Sequence, residues 1–253
     1  MIGDVIGKPG RKAVAALLPR LRREFKLDLV VANGENAAGG FGITLDTAEE
    51  LLGSGVDVLT SGNHIYDQKE IIQYLDGQIP LIRPINYPSA APGRGHIFIK
   101  DTLVVNAMGR VFVGTFDCPF KAVDKLLESL KPLPKVILID FHAEATSEKV
   151  AFGWYMDGRV TAVFGTHSHV PTADGRLLPR GTAYVSDLGM VGPVNSVIGN
   201  EPQDVLERFL TQVPVRLRVP GGPVSFNSVM VDIDDETGKA VSLQRVDEIV
   251  EHP

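Results

Sequence analysis

Short apolar runs alternate with helical patterns along most of this chain. Nearly continuous apolar runs predict strands buried on both faces at 27–32, 56–59, 136–141 and 162–164. Apolar residues at helical spacing predict helices around 14–25 and 123–130. This alternation indicates βαβ units, in which helices cover a largely parallel sheet.

Acidic pairs three residues apart mark two expected helix starts. Asp46 with Glu49 and Asp67 with Glu70 are typical of capping boxes. They predict helices near 47–53 and 68–75. Because capping explains Asp67, we do not expect it to take part in catalysis.

The later part of the chain has a different pattern. Strand-like runs at 95–114 and 183–187, and the alternation at 222–247, predict a second, more antiparallel sheet. Clusters of Pro and Gly interrupt the chain, but strand patterns resume on both sides of each cluster. We therefore expect loops rather than linkers, and a single domain over 1–253.

Composition narrows the class of protein. The chain has 253 residues, 44% of them hydrophobic, and a net charge of −6. This acidic balance argues against stable binding of nucleic acid through phosphate contacts. One cysteine, Cys118, excludes an internal disulfide. No apolar stretch approaches the roughly 20 residues that span a bilayer. These features predict a cytoplasmic protein that does not bind membranes.

Metal-ligating side chains follow the predicted strands. His167 and His169 come directly after the run at 162–164, and His142 follows 136–141. Such positions meet at the carboxyl edge of an α/β sheet. The expected metal ligands are Asp4, Glu35, Asn36, Asn63, His142, His167 and His169.

Each of these residues alone also has an ordinary structural explanation. Asp4 fits a turn, and Met1-Ile2-Gly3 is short for a strand that carries it, so that strand is stunted or lacks earlier residues. Asn33-Gly34 is a strong turn signal. A lone His142 is more often a buried histidine with a satisfied partner. Convergence of all of them on one edge favours the metal site.

Other conspicuous residues receive structural interpretations. Trp154 and Tyr155, in a helix expected from about Ser147, are assigned to the core. Arg83 is assigned either to a substrate phosphate or to a surface ion pair. Gly39-Gly40-Phe41-Gly42 lacks the Lys-Ser/Thr of a P-loop and predicts a flexible loop bordering the site.

The ligand set indicates a particular chemistry. Carboxylate, amide and imidazole ligands without thiolate suit iron, manganese or zinc in a catalytic site. Two such ions, sharing the Glu35 carboxylate, activate water and stabilise an in-line displacement at phosphorus. His64, next to Asn63, is then free to protonate the leaving alkoxide as general acid.

At these residues the sequence resembles the calcineurin-like metallophosphoesterases. The shared motifs are Gly3-Asp4, Gly34-Glu35-Asn36, Gly62-Asn63-His64, His142 and 165–169. Two departures stand out: Ile6 occupies the usual position of a histidine, and Glu35 that of a bridging aspartate. Both are typical of the YmdB-like branch, which the chain resembles over essentially its whole length.

This resemblance implies a four-layer α/β sandwich of two mixed β-sheets flanked by helices. It also implies a di-iron or di-manganese centre, activity on 2′,3′-cyclic nucleotides and a homodimer or homotetramer. Asp4, Glu35, Asn36 and His169 would hold one metal, with Asn36 in the role that Ile6 cannot take. Glu35, Asn63, His142 and His167 would hold the other.

The expected function is therefore a dinuclear-metal phosphodiesterase that hydrolyses cyclic nucleotides, 2′,3′-cyclic and also 3′,5′-cyclic. Iron is the first expectation for the metal, with manganese or zinc as alternatives. Two other functions stay open: another phosphoesterase, such as a nucleotidase or phosphomonoesterase, and a metal-binding regulatory protein that senses a nucleotide.

Overall fold

Two six-stranded β-sheets and five α-helices make up the computed structural model, which describes residues 1–253. The strands are β1 Ile2–Val5, β2 Val31–Asn33, β3 Val58–Thr60, β4 His96–Ile99, β5 Thr102–Met108, β6 Val136–His142, β7 Ala162–Thr166, β8 Arg176–Leu177, β9 Ala183–Val185, β10 Met190–Pro193, β11 Val224–Phe226, β12 Val229–Ile233, β13 Ala240–Arg245 and β14 Glu248–Val250. The helices are α1 Gly7–Glu24, α2 Leu45–Gly53, α3 Pro119–Ser129, α4 Thr146–Met156 and α5 Pro202–Thr211, with a 3₁₀ helix at Lys69–Tyr74.

Both sheets are mixed. The first has the order β14-β11-β10-β1-β2-β3, with its last four strands parallel to one another. The second has the order β4-β5-β6-β7-β9-β8, with four central parallel strands and an antiparallel strand at each edge. Strands β12 and β13 form a separate hairpin.

Hydrophobic side chains define the four layers. Val14 and Leu51 of α1 and α2 pack with the first sheet. Phe152 of α4 stacks on Phe141 of the second sheet, with ring centroids 4.0 Å apart. Between the sheets, a small cluster joins Val58 of β3 to Val104 of β5, among others. The expected fold, a sandwich of two mixed sheets flanked by helices, is confirmed.

The sequence-based assignment of strands to sheets was wrong. The runs at 27–32 and 56–59 supply β2 and β3 of the first sheet, whereas 136–141 and 162–164 supply β6 and β7 of the second. The later strands do not form the second sheet alone, since β10 and β11 join the first one. Periodicity shows that a strand is buried on both faces, but a sandwich buries strands of both sheets in this way.

The expected helix caps also differ. Helix α2 begins after Thr44, whose hydroxyl accepts a hydrogen bond from the Thr47 amide, while Thr47 caps the Thr44 amide in return. The threonine pair therefore takes the role assigned to Asp46 and Glu49. The 68–75 segment is a 3₁₀ helix that starts after Gln68 without a side-chain cap.

Trp154 and Tyr155 were expected in the core, but their exposed fractions are 50% and 43%. The buried face of α4 contains Phe152 and Met156 instead. Tyr155 lies at the surface, where its hydroxyl donates to Asp124 and its ring contacts Arg159. None of the helices is both long and apolar enough to cross a membrane.

Candidate metal centre

The predicted ligands come together where strands of both sheets end. The first sheet supplies four of them and the second sheet three. They are Asp4 in β1, Glu35 and Asn36 after β2, Asn63 after β3, His142 at the end of β6, and His167 and His169 after β7.

One group of ligands surrounds His142, which is fully buried. Its Nε2 atom lies 3.0 Å from Oε1 of Glu35, 3.1 Å from Oδ1 of Asn63 and 2.9 Å from Nδ1 of His167. Glu35, His142 and His167 also form a cluster with the spacing required to hold a metal ion. Four ligand atoms thus converge on one point.

A buried chain of hydrogen bonds fixes the other side of the His142 ring. Thr166 donates its hydroxyl to Oδ1 of Asp140 at 2.7 Å, so its oxygen is free to accept from Nδ1 of His142 at 2.9 Å. Nδ1 therefore donates to Thr166, and Nε2 is the ring nitrogen that faces Glu35 and Asn63. A hydrogen bond at Nδ1 orients the ring so that Nε2 could bind a metal in place of its proton.

Electrostatics at His142 favour positive charge. Burial opposes it, but the Glu35 carboxylate raises the pKa of His142 to about 9. Burial and the charge on His142 together lower the pKa of the neighbouring His167 to about 3. A proton on His142 therefore supplies the positive charge that a metal cation would otherwise provide.

A second group contains Asp4, Asn36 and His169. His169 donates from Nδ1 to the carbonyl oxygen of Ile198 at 2.8 Å, which turns Nε2 towards the other candidate ligands. That Nε2 lies 3.1 Å from Nδ2 of Asn36 and 3.8 Å from Oδ1 of Asp4. Asn36 would need to present Oδ1 instead of Nδ2 to bind a metal here.

Asp4 is the strongest indication that a cation fits this group. Its carboxylate is fully buried, and Oδ1 has no hydrogen-bond partner. Burial raises the pKa of Asp4 to about 7, against the opposing influence of His169 and His142. An unpaired buried carboxylate oxygen is costly, and coordination to a metal relieves this cost.

Glu35 links the two groups. Oε1 lies 3.0 Å from His142 Nε2 and 3.5 Å from Asn36 Nδ2, while Oε2 accepts from the His64 amide at 3.0 Å. Burial raises the pKa of Glu35, but the nearby His142 outweighs this effect and lowers the pKa of Glu35 to about 2. The carboxylate is therefore ionised in the position expected for a bridging ligand.

The turn that carries His167 and His169 is strained. Both residues have positive φ angles, 100° and 64°, which residues other than glycine rarely adopt. Asp4 accepts from the His167 amide at 3.2 Å, and Asp187 accepts from the Ser168 amide at 3.1 Å. Buried Lys149 holds Asp187 at 2.6 Å. This network fixes both imidazoles despite the strain.

His64 lies beside the ligand groups. Its Nδ1 donates to Oδ2 of Asp67 at 2.7 Å, and the edge of its ring meets Phe41 with centroids 5.2 Å apart. This contact leaves Nε2 for a substrate. Asp67, assigned to capping from the sequence, therefore orients the candidate acid, and that sequence-based interpretation was wrong.

A cavity of about 340 Å³ opens onto the site. Glu35, Asn36, His64, His167 and His169 all line it. So do Gly40 and Phe41, as expected for a loop that borders the site. Glu144 lies at its edge, 3.2 Å from Nε2 of His167.

Sequence reasoning missed the supporting residues. Asp140 is the only charged residue in the apolar run at 136–141, a signal that pointed to a buried role. It accepts from Asn33 at 3.1 Å and also bonds Thr60 and Thr166. Lys149 and Asp187 gave no such signal.

Arg83 has neither of its expected roles. It is buried, and its guanidinium donates to carbonyl oxygens of Pro84, Ala91 and Pro92 at 2.8–3.1 Å. Arg83 therefore holds the loop that precedes β4 rather than a phosphate or a surface acid.

With the geometry established, comparison with known proteins identifies the family. The family model described as YmdB-like protein matches residues 1–246. The chain belongs to the YmdB-like family. The resemblance noted in the sequence is thereby confirmed.

Relatives of this YmdB-like chain are named as phosphoesterases. It is 45% identical over 249 residues, 97% of its length and 94% of the relative's, to a 2′,3′-cyclic-nucleotide 2′-phosphodiesterase of Bacillus subtilis. It is 34% identical to a putative phosphatase/phosphodiesterase of Mycoplasma genitalium, covering 97% and 90% of the two chains. The expected enzyme class, a hydrolase of phosphoric esters, is confirmed by these relatives.

Solved structures agree with the fold. A hypothetical protein from Thermus thermophilus matches with a TM-score of 0.93 and 42% identity, covering 100% of this chain and 98% of the other. A novel phosphatase from Mycoplasma pneumoniae matches with a TM-score of 0.92 and 33% identity, covering 100% and 93%. These neighbours support the calcineurin-like fold.

Proposed function

We propose that this protein is a dinuclear-metal phosphodiesterase that hydrolyses 2′,3′-cyclic nucleotides. The observation that carries the proposal is the position of Glu35. One carboxylate lies between the group around His142 and the group around Asp4, and it also holds the His64 amide. The name of the Bacillus subtilis relative supports the choice of substrate.

The residues present fit two metal ions. Asp4, Glu35, Asn36 and His169 would hold one, and Glu35, Asn63, His142 and His167 the other. When bound, the ions would lower the pKa of water and neutralise charge on the phosphoryl oxygens. The thiolate-free ligands suit iron first, with manganese or zinc as alternatives.

The chain's own residues then orient the substrate and move a proton. Water attacks the phosphorus atom and loses one proton to the solvent, from which His64 is later protonated again, and the bond from phosphorus to one ribose oxygen breaks. His64 delivers the proton from Nε2 to that departing oxygen. Asp67 accepts a hydrogen bond from Nδ1 and holds the ring in position for this transfer. No side chain acts as nucleophile.

The test combines metal analysis with hydrolysis of 2′,3′-cAMP, 3′,5′-cAMP and a generic phosphomonoester. We expect about two metals per chain and fastest turnover of 2′,3′-cAMP. Asn63→Ala removes an oxygen 3.1 Å from His142 Nε2 and should lose both metal and turnover. His64→Ala should keep its metal and lose most turnover.

Other outcomes contradict the proposal in distinct ways. Faster hydrolysis of the monoester would favour a phosphatase, the name given to the Mycoplasma pneumoniae structure. Bound metal with tight nucleotide binding but no turnover would favour a regulatory protein. Full activity of His64→Ala would exclude that residue as the acid.

A further inference from the structure

A second, larger cavity adjoins the candidate metal centre. It has a volume of about 720 Å³. Phe41, Arg208 and Leu217 line both this outer cavity and the one over the metal ligands. The two cavities are therefore neighbouring parts of one groove.

The outer cavity is strongly basic. Four of its 12 lining residues are cations, and none is acidic. Arg218 is neutralised by Asp204, whose oxygens lie 2.5 and 2.8 Å from the guanidinium. Lys8, Arg208 and Arg216 are exposed and have no carboxylate partner. Three unpaired cations thus face one cavity of a protein whose net charge is −6.

Residues 215–219, which include Arg216, line the outer cavity and are held against the rest of the protein. The Arg218 ion pair ties it to α5, and the Arg218 carbonyl accepts from the Glu201 amide at 2.7 Å. Val219 packs over Gly40, where even a methyl group would come within 2.9 Å of its side chain. The backbone next to Arg216 is therefore held in place by contacts of Arg218 and Val219.

Helix α1 adds to the positive potential. Lys8 and Pro9, in its first turn, line the cavity. The first turn contains no acidic residue and has no side-chain cap. A helix start of this kind attracts negative charge, in the same direction as the unpaired cations.

From this arrangement we infer that the outer cavity is a subsite for a second phosphate of the substrate, beyond the one that is hydrolysed. The inference rests on the proposed function and narrows its substrate class. The second phosphate has two sources of the same chemistry: a 5′-phosphate on the cyclic nucleotide, or the next phosphodiester of a short oligonucleotide with a cyclic end. A phosphate group binds unpaired lysine and arginine side chains through charge-assisted hydrogen bonds. A neutral nucleoside would leave these cations without a partner.

The test compares three substrates with the same reacting end, using the metal-loaded enzyme. They are 2′,3′-cAMP, its 5′-phosphorylated form, and a dinucleotide ending in the same cyclic phosphate. We expect kcat/KM to be about ten-fold higher for a substrate with two phosphates, as one charge-assisted contact predicts. Whichever two-phosphate substrate is preferred identifies the source of the second phosphate.

The decisive variants change the preference ratio, which is kcat/KM for a substrate with two phosphates divided by kcat/KM for 2′,3′-cAMP. Arg216→Ala and Lys8→Ala remove cations that line only the outer cavity, and each should bring the ratio towards one. Arg23→Ala, an exposed arginine elsewhere on α1, is the matched control and should keep it. An equal rate for all three substrates, or an unchanged ratio in Arg216→Ala, would overturn the inference.

A binding measurement separates this inference from the proposed function. Calorimetry should show that adenosine 3′,5′-bisphosphate binds more tightly than adenosine 3′-monophosphate, and that Arg216→Ala removes the difference. If no cyclic substrate is hydrolysed while this preference remains, the proposed function fails and the subsite stands. Equal binding of both nucleotides would reject the subsite regardless of turnover.

Discussion

Nδ1 of His64 lies 2.7 Å from Oδ2 of Asp67, three residues further along the chain. This contact fixes the orientation of the ring of the candidate acid. Asp67 is thus a positioning residue, which acts through His64 and not on the substrate.

Asp67→Asn should lower kcat roughly 10-fold or more, the usual range for losing a partner that orients a functional histidine. KM should stay close to the native value, because Asp67 acts through His64 and does not contact the substrate. Glu70→Gln, an exposed acid nearby, is the control. An unchanged kcat in a less stable protein would assign Asp67 a structural role only.

Gly62 is expected to be irreplaceable at the metal site. A Cβ atom there would lie 2.2 Å from Cδ2 of His142 and 2.5 Å from Oε2 of Glu35. Gly62→Ala should therefore displace both ligands, and metal analysis should find metal lost while circular dichroism shows the fold retained. Gly53→Ala, where a Cβ meets nothing within 4 Å, should bind metal normally. Full metal content in Gly62→Ala would contradict the assigned ligand positions.

The buried pair of Lys149 and Asp187 supports the strained histidine turn. Lys149→Met leaves the Asp187 charge uncompensated and should reduce the free energy of unfolding by about 3–5 kcal/mol. Denaturant unfolding measures this loss. Lys121→Met, at an exposed position on α3, should change little. Equal stabilities of the two variants would show that the ion pair does not support the fold.

Removal of metal should destabilise the protein. A metal that binds only the folded state adds about 2.7 kcal/mol when its concentration is about 100 times its Kd. A chelator should therefore lower Tm, and added iron or manganese should restore it. Asn63→Ala should respond much less to either treatment. A Tm insensitive to chelation in the native protein would argue against a metal centre.

Sequence patterns predicted that the candidate ligands lie together at a sheet edge better than they predicted the sheet to which each strand belongs. His142 and His167 follow strong apolar runs, so their position at a sheet edge could be predicted from the sequence. The same runs could not show that β2 and β7 belong to different sheets, because burial on both faces is common to both. Periodicity predicted a second sheet but assigned the wrong strands to it, and the family resemblance supplied the sandwich of two mixed sheets.

The supporting contacts were harder to predict, for a physical reason. Asp67 bonds a residue only three positions away, yet its acidic spacing to Glu70 suggested a cap. Lys149 and Asp187 are 38 positions apart, and only the packing of α4 against the second sheet brings them together. Side-chain partners of this kind depend on tertiary structure, which local pattern does not encode.

The two sheets share the proposed metal ligands, and this division has a consequence for assembly. Asp4, Glu35, Asn36 and Asn63 belong to the first sheet, and the three histidines to the second. Neither sheet alone contains either complete ligand group. Binding of a metal to these residues would therefore be coupled to the packing of the two sheets. A bound ion would link the two sheets, and metal retention would report on the integrity of the whole sandwich.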